Sequence, residues 1–212
     1  GEIAAAMTVE GLLGTTRPFA SELQVLRPQV GQSDSAANLM TLLAGSPIVA
    51  SHRHNDPRVQ DAYSVRCTPQ VMGAARDTVA FARTTAEREL LSAIDNPVVL
   101  DDGRIESCGN FHGAPLGYAC DFLAIALADV SALAERRLDR MLDVTRSEGL
   151  PAFLAPDAGV NSGLMIAHYT AAAIVAVNRR LAVPASADTL PTSASQEDHV
   201  SMGWAAARKL RT

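Results

Sequence analysis

Residues 115–143 place Leu116, Cys120, Leu123, Leu127, Val130, Ala134, Leu138 and Met141 at three- and four-residue intervals, the period of one helical face. Phe122, Ile125 and Ala126 make the first half of that segment apolar nearly all round. Such a helix must be covered on several sides, so a chain carrying it belongs in a large helical bundle or an oligomer. The second half, residues 135–140, turns polar and is expected to reach solvent.

Three further helices are expected. Thr68 can cap one whose first position is Pro69, where a missing N–H costs nothing. Met72, Ala75, Val79, Ala82, Ala86 and Leu90 then mark one buried face, and Asn96-Pro97 stops the pattern. Residues 98–105, with Asp102-Gly103 at their centre, read as a short hairpin. A third helix covers residues 161–181. A fourth opens near Ser195 and still runs at the last residue, Thr212.

Composition excludes several classes. At 48% hydrophobic and 19% charged residues, the chain is no disordered segment. Cys67, Cys108 and Cys120 are too few and too scattered for a disulfide scaffold, which fits a reducing, cytoplasmic setting. A net charge of −5 argues against nucleic acid or a membrane surface as partner. The longest apolar run, residues 164–177, is too short for a bilayer and carries His168, Tyr169 and Thr170. No basic segment leads into an apolar one, so no signal peptide is expected. The start at Gly1 rather than at a methionine suggests a piece of something longer.

The unusual residues cluster in three loops. In the first, Gln60, Tyr63 and Arg66 lie three apart, so one helical turn puts an amide, a phenol and a guanidinium on a common side. Arginine suits a bidentate grip on a carboxylate; the alternative is Arg66 paired to an acid within the fold. In the second, Gly109 and Gly113 bracket Asn110-Phe111-His112. Phe111 either walls a pocket or plugs the core, and His112 is more often structural than catalytic. In the third, Ser193 and Gln196 have capping-box spacing before Glu197-Asp198-His199. Glu197 is then a first-turn acid stabilised by the helix dipole, or it faces a pocket where burial raises its pKa. His52 and His54 have two-ligand spacing, but no third ligand is indicated and no metal is expected.

These loops, in this order, resemble the histidine ammonia-lyase family, which is dependent on a methylidene-imidazolone (MIO) electrophile. The motifs are Gln60-Asp61-Ala62-Tyr63-Ser64-Val65-Arg66, Gly109-Asn110-Phe111-His112-Gly113 and Ser195-Gln196-Glu197-Asp198-His199-Val200-Ser201, with Pro69-Gln70-Val71-Met72-Gly73, Asp95-Asn96-Pro97 and Ala134-Glu135-Arg136-Arg137 around them. The resemblance covers essentially all 212 residues. It implies an all-α, long-helix bundle of the ammonia-lyase or fumarase-like type with one short β-hairpin. It implies elimination of ammonia from L-histidine to give trans-urocanate, in a homotetramer whose sites draw on several subunits. For the residues it implies Arg66 on the substrate carboxylate and Tyr63 and Gln60 near the electrophile. Phe111 and His112 would lie against substrate or prosthetic group, and Glu197 would face the substrate imidazole or amine.

The MIO group forms from an Ala-Ser-Gly tripeptide, and that tripeptide does not occur in this sequence. Residues 1–212 are therefore expected to be a central segment, with the MIO-bearing part upstream and a C-terminal part beyond, and to be inactive alone. Two other readings stand beside this one. The first is a lyase or aminomutase of the same family acting on another amino acid; the second is a non-catalytic helical assembly module.

Overall fold

The computed structural model describes residues 1–211. Nine α-helices and one two-stranded sheet are found among them. In chain order they are α1 (Glu2–Gly11), α2 (Ser21–Gln24), α3 (Val30–Leu42), α4 (Pro47–Ser51), α5 (Tyr63–Arg66), α6 (Thr68–Glu89), β1 (Val98–Val99), β2 (Ile105–Glu106), α7 (Ala114–Leu142), α8 (Met165–Leu181) and α9 (Gly203–Leu210). The strands pair antiparallel, Val98 with Glu106 and Val99 with Ile105, around a turn in which Gly103 takes φ 82°. The fold class is the expected one.

The chain divides into two compact units. The first combines Gly1–Asp77 with Leu127–Asn178, and the second combines Thr78–Ala126 with the residues from Arg179 onward. The first unit has the hydrophobic core: Ala5, Ala6, Val9 and Leu12 of α1 and its end, Phe19, Ala36, Leu39 and Leu43 from α3 and its end, and Val65 of α5. Fully burying a side chain such as Phe19 or Leu39 contributes about 1.5–3 kcal/mol. Close approach matters as much as apolar bulk here. A Cβ at Gly31 would lie 2.3 Å from the Gly73 carbonyl oxygen, and the Gly31 N–H donates to Asp77 Oδ1 at 2.9 Å. Any side chain at Gly31 or Gly73 would force α3 and α6 apart.

Several expectations change. The α6 pattern ends at Glu89, and of its stripe Val79 is half exposed and Leu90 lies beyond the helix. Helix α8 begins at Met165, because residues 157–164 are held in turns by bonds such as Val160 N–H to the Asp157 carbonyl. The fourth helix does not open at Ser195. Ser193, Ala194 and Ser195 have φ of 50°, 55° and 67°, a left-handed stretch that no α-helix continues through, and α9 starts only at Gly203. Its expected run to Thr212 ends outside the described residues.

The polar end of α7 does not reach solvent throughout, since Glu135 and Arg137 are 6% and 5% exposed. Helix α7 buries Ala119, Asp121 and Ala124, and leaves Phe122, Ile125 and Leu127 about half exposed. It is the one described helix long and apolar enough to cross a membrane, by length and composition. Asp121 and Asp129 interrupt its apolar sequence.

Candidate active site

In the first unit, a clamp around Arg58 sets the course of the Gln60–Tyr63 loop. The Arg58 guanidinium donates to Asp56 Oδ1 and Oδ2 at 3.0 and 2.6 Å and to the Leu12 carbonyl at 3.0 Å. It also donates to the Leu13 carbonyl and lies 3.6 Å from both Asp61 and Glu148. The Arg58 guanidinium beside Asp56 holds that carboxyl down at about 2. Asp61 is nearly buried and accepts from the Thr15 N–H at 2.8 Å. Charged groups therefore anchor the backbone on both sides of Gln60 to the end of α1.

The chain then makes the single turn α5. As the three-residue spacing predicts, Tyr63 and Arg66 share a side: the Arg66 guanidinium lies 4.6 Å from the centroid of the Tyr63 ring, a cation–π contact. Tyr63 is 71% exposed. Arg66 Nε is buried with no hydrogen-bond partner. The ion pairs among the described residues of this unit use Arg17, Arg58, Arg76, Arg136, Arg146 and His168, not Arg66. Gln60 is exposed just outside the turn. It lines a cavity of about 810 Å³ together with Thr15, Met40, Ser46, His52 and Arg58, whereas Tyr63 and Arg66 do not line it.

In the second unit, the Asn110-Phe111-His112 loop is tied down by its flanks. Asn96 Oδ1 accepts from the Cys108 N–H at 2.9 Å, and the Asn110 amide donates to the Ala93 carbonyl at 3.2 Å. Phe111 does not plug a core; it is 57% exposed. His112 Nε2 lies 3.1 Å from the His199 carbonyl oxygen and 3.3 Å from His199 Nδ1, with the two rings stacked at 5.3 Å. A carbonyl only accepts, so His112 Nε2 carries a proton and His199 Nδ1 faces it with a lone pair. A Cβ at Gly113 would lie 2.9 Å from Ser201 Oγ. The second and third loops thus meet. Replacing His112 with phenylalanine keeps an aromatic ring and removes the donor, a loss of about 1 kcal/mol. Faster amide exchange at His199 and Val200 is the expected readout.

Glu197 sits differently from either sequence reading. It is in no helix, and it is exposed. Its backbone pairs with Thr192 in an isolated bridge, and its Oε2 accepts from the Thr192 hydroxyl at 2.5 Å. The hydroxyls of Thr192 and Ser193 hold its carboxyl below the usual glutamate range. The left-handed residues 193–195 create this arrangement by folding the chain back on itself.

Of the buried polar side chains outside the three loops, Asp121 and Arg137 make the most telling contacts. Asp121 takes four bonds in the second unit: from the Ala185 and Ser186 N–H groups at 2.9 and 2.7 Å, from the Ser186 hydroxyl at 2.6 Å and from Lys209 at 2.6 Å. In the first unit, Arg137 reaches α5. Its position three residues after Ala134 and four before Met141 was the available signal, because that spacing puts a charge on the apolar stripe.

Over residues 1–212 the sequence matches the family described as aromatic amino acid lyase. The chain belongs to that family. The histidine ammonia-lyase of Streptomyces avermitilis is 66% identical over 211 residues, covering 100% of this chain and 41% of the relative. That of Streptomyces griseus is 63% identical with the same coverage. Among solved structures, the tyrosine aminomutase of Streptomyces globisporus matches with a TM-score of 0.91 at 39% identity, over 99% of this chain and 43% of that one. The histidine ammonia-lyase of Trypanosoma cruzi matches with a TM-score of 0.87 at 42% identity, over 98% of this chain and 38% of that one. This aromatic amino acid lyase chain thus spans 41% of the length of the Streptomyces relatives it matches.

Proposed function

We propose that this chain supplies the carboxylate-binding and ring-facing residues of a histidine ammonia-lyase, which converts L-histidine to trans-urocanate and ammonia. The observation that carries the reading is Arg66, a guanidinium beside the exposed Tyr63 phenol with a buried N–H and no acid in its own unit to pair with. An α-carboxylate is the complementary group, and a bidentate pair with it fixes the orientation of an amino acid substrate. Gln60 and Tyr63 project beyond the anchored backbone, where they can direct the substrate's Cα–Cβ bond toward a reactive group.

The remaining roles follow from the second unit. An exposed, ionised Glu197 accepts a hydrogen bond from an imidazole N–H, which phenylalanine and tyrosine rings lack. Phe111 offers an aromatic face for stacking. The free donors of Arg66 and Tyr63 suit the MIO site of this family, although its precursor tripeptide is not in this sequence. That electrophile makes the α-amine a better leaving group. A homotetramer accounts for the half-exposed Phe122, Ile125 and Leu127 on α7, since apolar surface of that extent is normally covered by a partner.

The test is turnover by the full-length chain that contains this segment. With L-histidine, L-tyrosine and L-phenylalanine in parallel, the expected result is urocanate absorbance and equimolar ammonia from histidine. Preferred turnover of tyrosine or phenylalanine, or formation of a β-amino acid, would transfer the reading to another lyase or aminomutase. Residues 1–212 alone are expected to produce no urocanate.

A further inference from the structure

We propose that Arg137 is a positioning residue that fixes the turn presenting Tyr63 and Arg66; the proposal rests on the reading of that turn as the carboxylate-binding element. Arg137 projects from the C-terminal part of α7 and is 5% exposed. Its Nε–H donates to the Ser64 carbonyl at 2.6 Å and its Nη2–H to Thr68 Oγ1 at 2.6 Å. Thr68 is fully buried, and its own hydroxyl donates to the Val65 carbonyl at 2.6 Å. Arg137 and Thr68 together satisfy the two carbonyls in the middle of α5.

A one-turn helix cannot hold itself, because one turn fixes many dihedrals for few hydrogen bonds. Its own backbone supplies little more than Val65 and Arg66 N–H groups to the Ala62 carbonyl and Cys67 N–H to the Tyr63 carbonyl. The Ser64 carbonyl would be an orphan at its C-terminal end, and the Val65 carbonyl would keep only the poorly placed Cys67 N–H. A guanidinium brought from 73 residues away in sequence takes one of them directly and the other through Thr68.

The cost of this arrangement shows that more than space-filling is involved. Neither acceptor is charged, and the flanking acids on α7 are engaged elsewhere, Glu135 by Arg136 and His168 and Asp139 by Arg136 and Arg146. Burial pushes the Arg137 guanidinium down to about 10, with no acidic neighbour opposing it. A buried cation with neutral partners is an expensive anchor, and an apolar side chain would fill the volume at lower cost. What only the fork provides is two donors in fixed geometry. They set the backbone between Tyr63 and Arg66, so any shift moves the phenol and the guanidinium together.

The full-length enzyme carrying Arg137→Met, Arg137→Lys or Thr68→Val tests this. Arg137→Met is expected to lower kcat/KM for L-histidine about 100-fold, the scale of a misplacement near 1 Å, with KM raised and kcat lowered together. Lysine keeps the charge on a single donating nitrogen without the fork and should restore part of the loss. Thr68→Val, which removes only the hydroxyl relay, should fall in the same direction by a smaller factor. A merely structural role would leave carboxylate recognition intact. Here, preference for imidazolepropionate over the corresponding alcohol as inhibitor should shrink in each variant in step with kcat/KM.

A folded Arg137→Met enzyme with native kcat/KM and native inhibitor preference would overturn the proposal. If that variant does not fold, Thr68→Val and Arg137→Lys decide by the same two readouts. Failure of the underlying reading looks different: Arg66→Ala would leave inhibitor preference unchanged in an otherwise native enzyme.

Discussion

Arg66→Ala in the full-length enzyme is expected to raise KM for L-histidine by roughly 10²–10⁴-fold while leaving the fold as stable as before. Two hydrogen bonds from a guanidinium to a carboxylate contribute about 1.5–3 kcal/mol each, and the substrate carboxylate would lose both. Stability should move by less than about 1 kcal/mol, the size of the exposed cation–π contact with Tyr63. That asymmetry is the useful part of the experiment. Had Arg66 been paired to an acid inside its own unit, its removal would strand a carboxylate and lower the urea midpoint. Instead its Nε has no partner. Arg66→Lys separates charge from geometry: it retains the attraction and loses the fork, so an intermediate KM is expected. A fall in melting temperature with unchanged KM would reverse the assignment.

How far the sequence reveals the molecule depends on which interactions define each part. Helix α7 was readable almost to the residue, because its period persists over many turns and no proline interrupts it. The hairpin was readable from Asp102-Gly103. Helices α1 and α3, which hold much of the core, did not stand out: their buried residues are largely alanine, serine, glycine and glutamine, and the close approach of α3 to α6 at Gly31 and Gly73 has no apolar periodicity behind it. The side shared by Tyr63 and Arg66 followed from local spacing alone. The surroundings of Glu197 did not, since three successive non-glycine residues take left-handed φ there and no residue type announces such a stretch. Arg137 escaped for the opposite reason. Charge in a helix reads as solvent-facing, and only the distant Ser64 and Thr68 explain its burial.

Asp121→Ala is expected to be the most destabilising single substitution outside the apolar core, by about 3–5 kcal/mol, the usual consequence of breaking a buried ion pair. Burial by itself pushes the Asp121 carboxyl up. Lys209, the Ser186 hydroxyl and the Ser186 and Ala185 N–H groups together more than reverse this and bring it to about 2. Alanine leaves the Ala185 and Ser186 N–H groups and the Ser186 hydroxyl without this acceptor, and Lys209 keeps only its bond to the Val183 carbonyl. Asn supplies a neutral acceptor for the backbone donors and should cost less. Lys209→Met removes the cation but leaves the carboxylate three donors, so its cost should also be smaller. A double-mutant cycle between the two sites gives their coupling.

The pH dependence has a definite sign. An aspartate near 3.9 in the unfolded chain and near 2 in the folded one binds more protons when unfolded. Its stabilisation, roughly 2–3 kcal/mol, is therefore complete above about pH 4 and is lost as the pH falls toward 2. Urea midpoints of the wild type between pH 5 and pH 2 should decline more steeply than those of Asp121→Asn, which has no proton to gain at that position. Equal slopes would mean that the Lys209 and amide contacts do not hold the carboxylate in its ionised form.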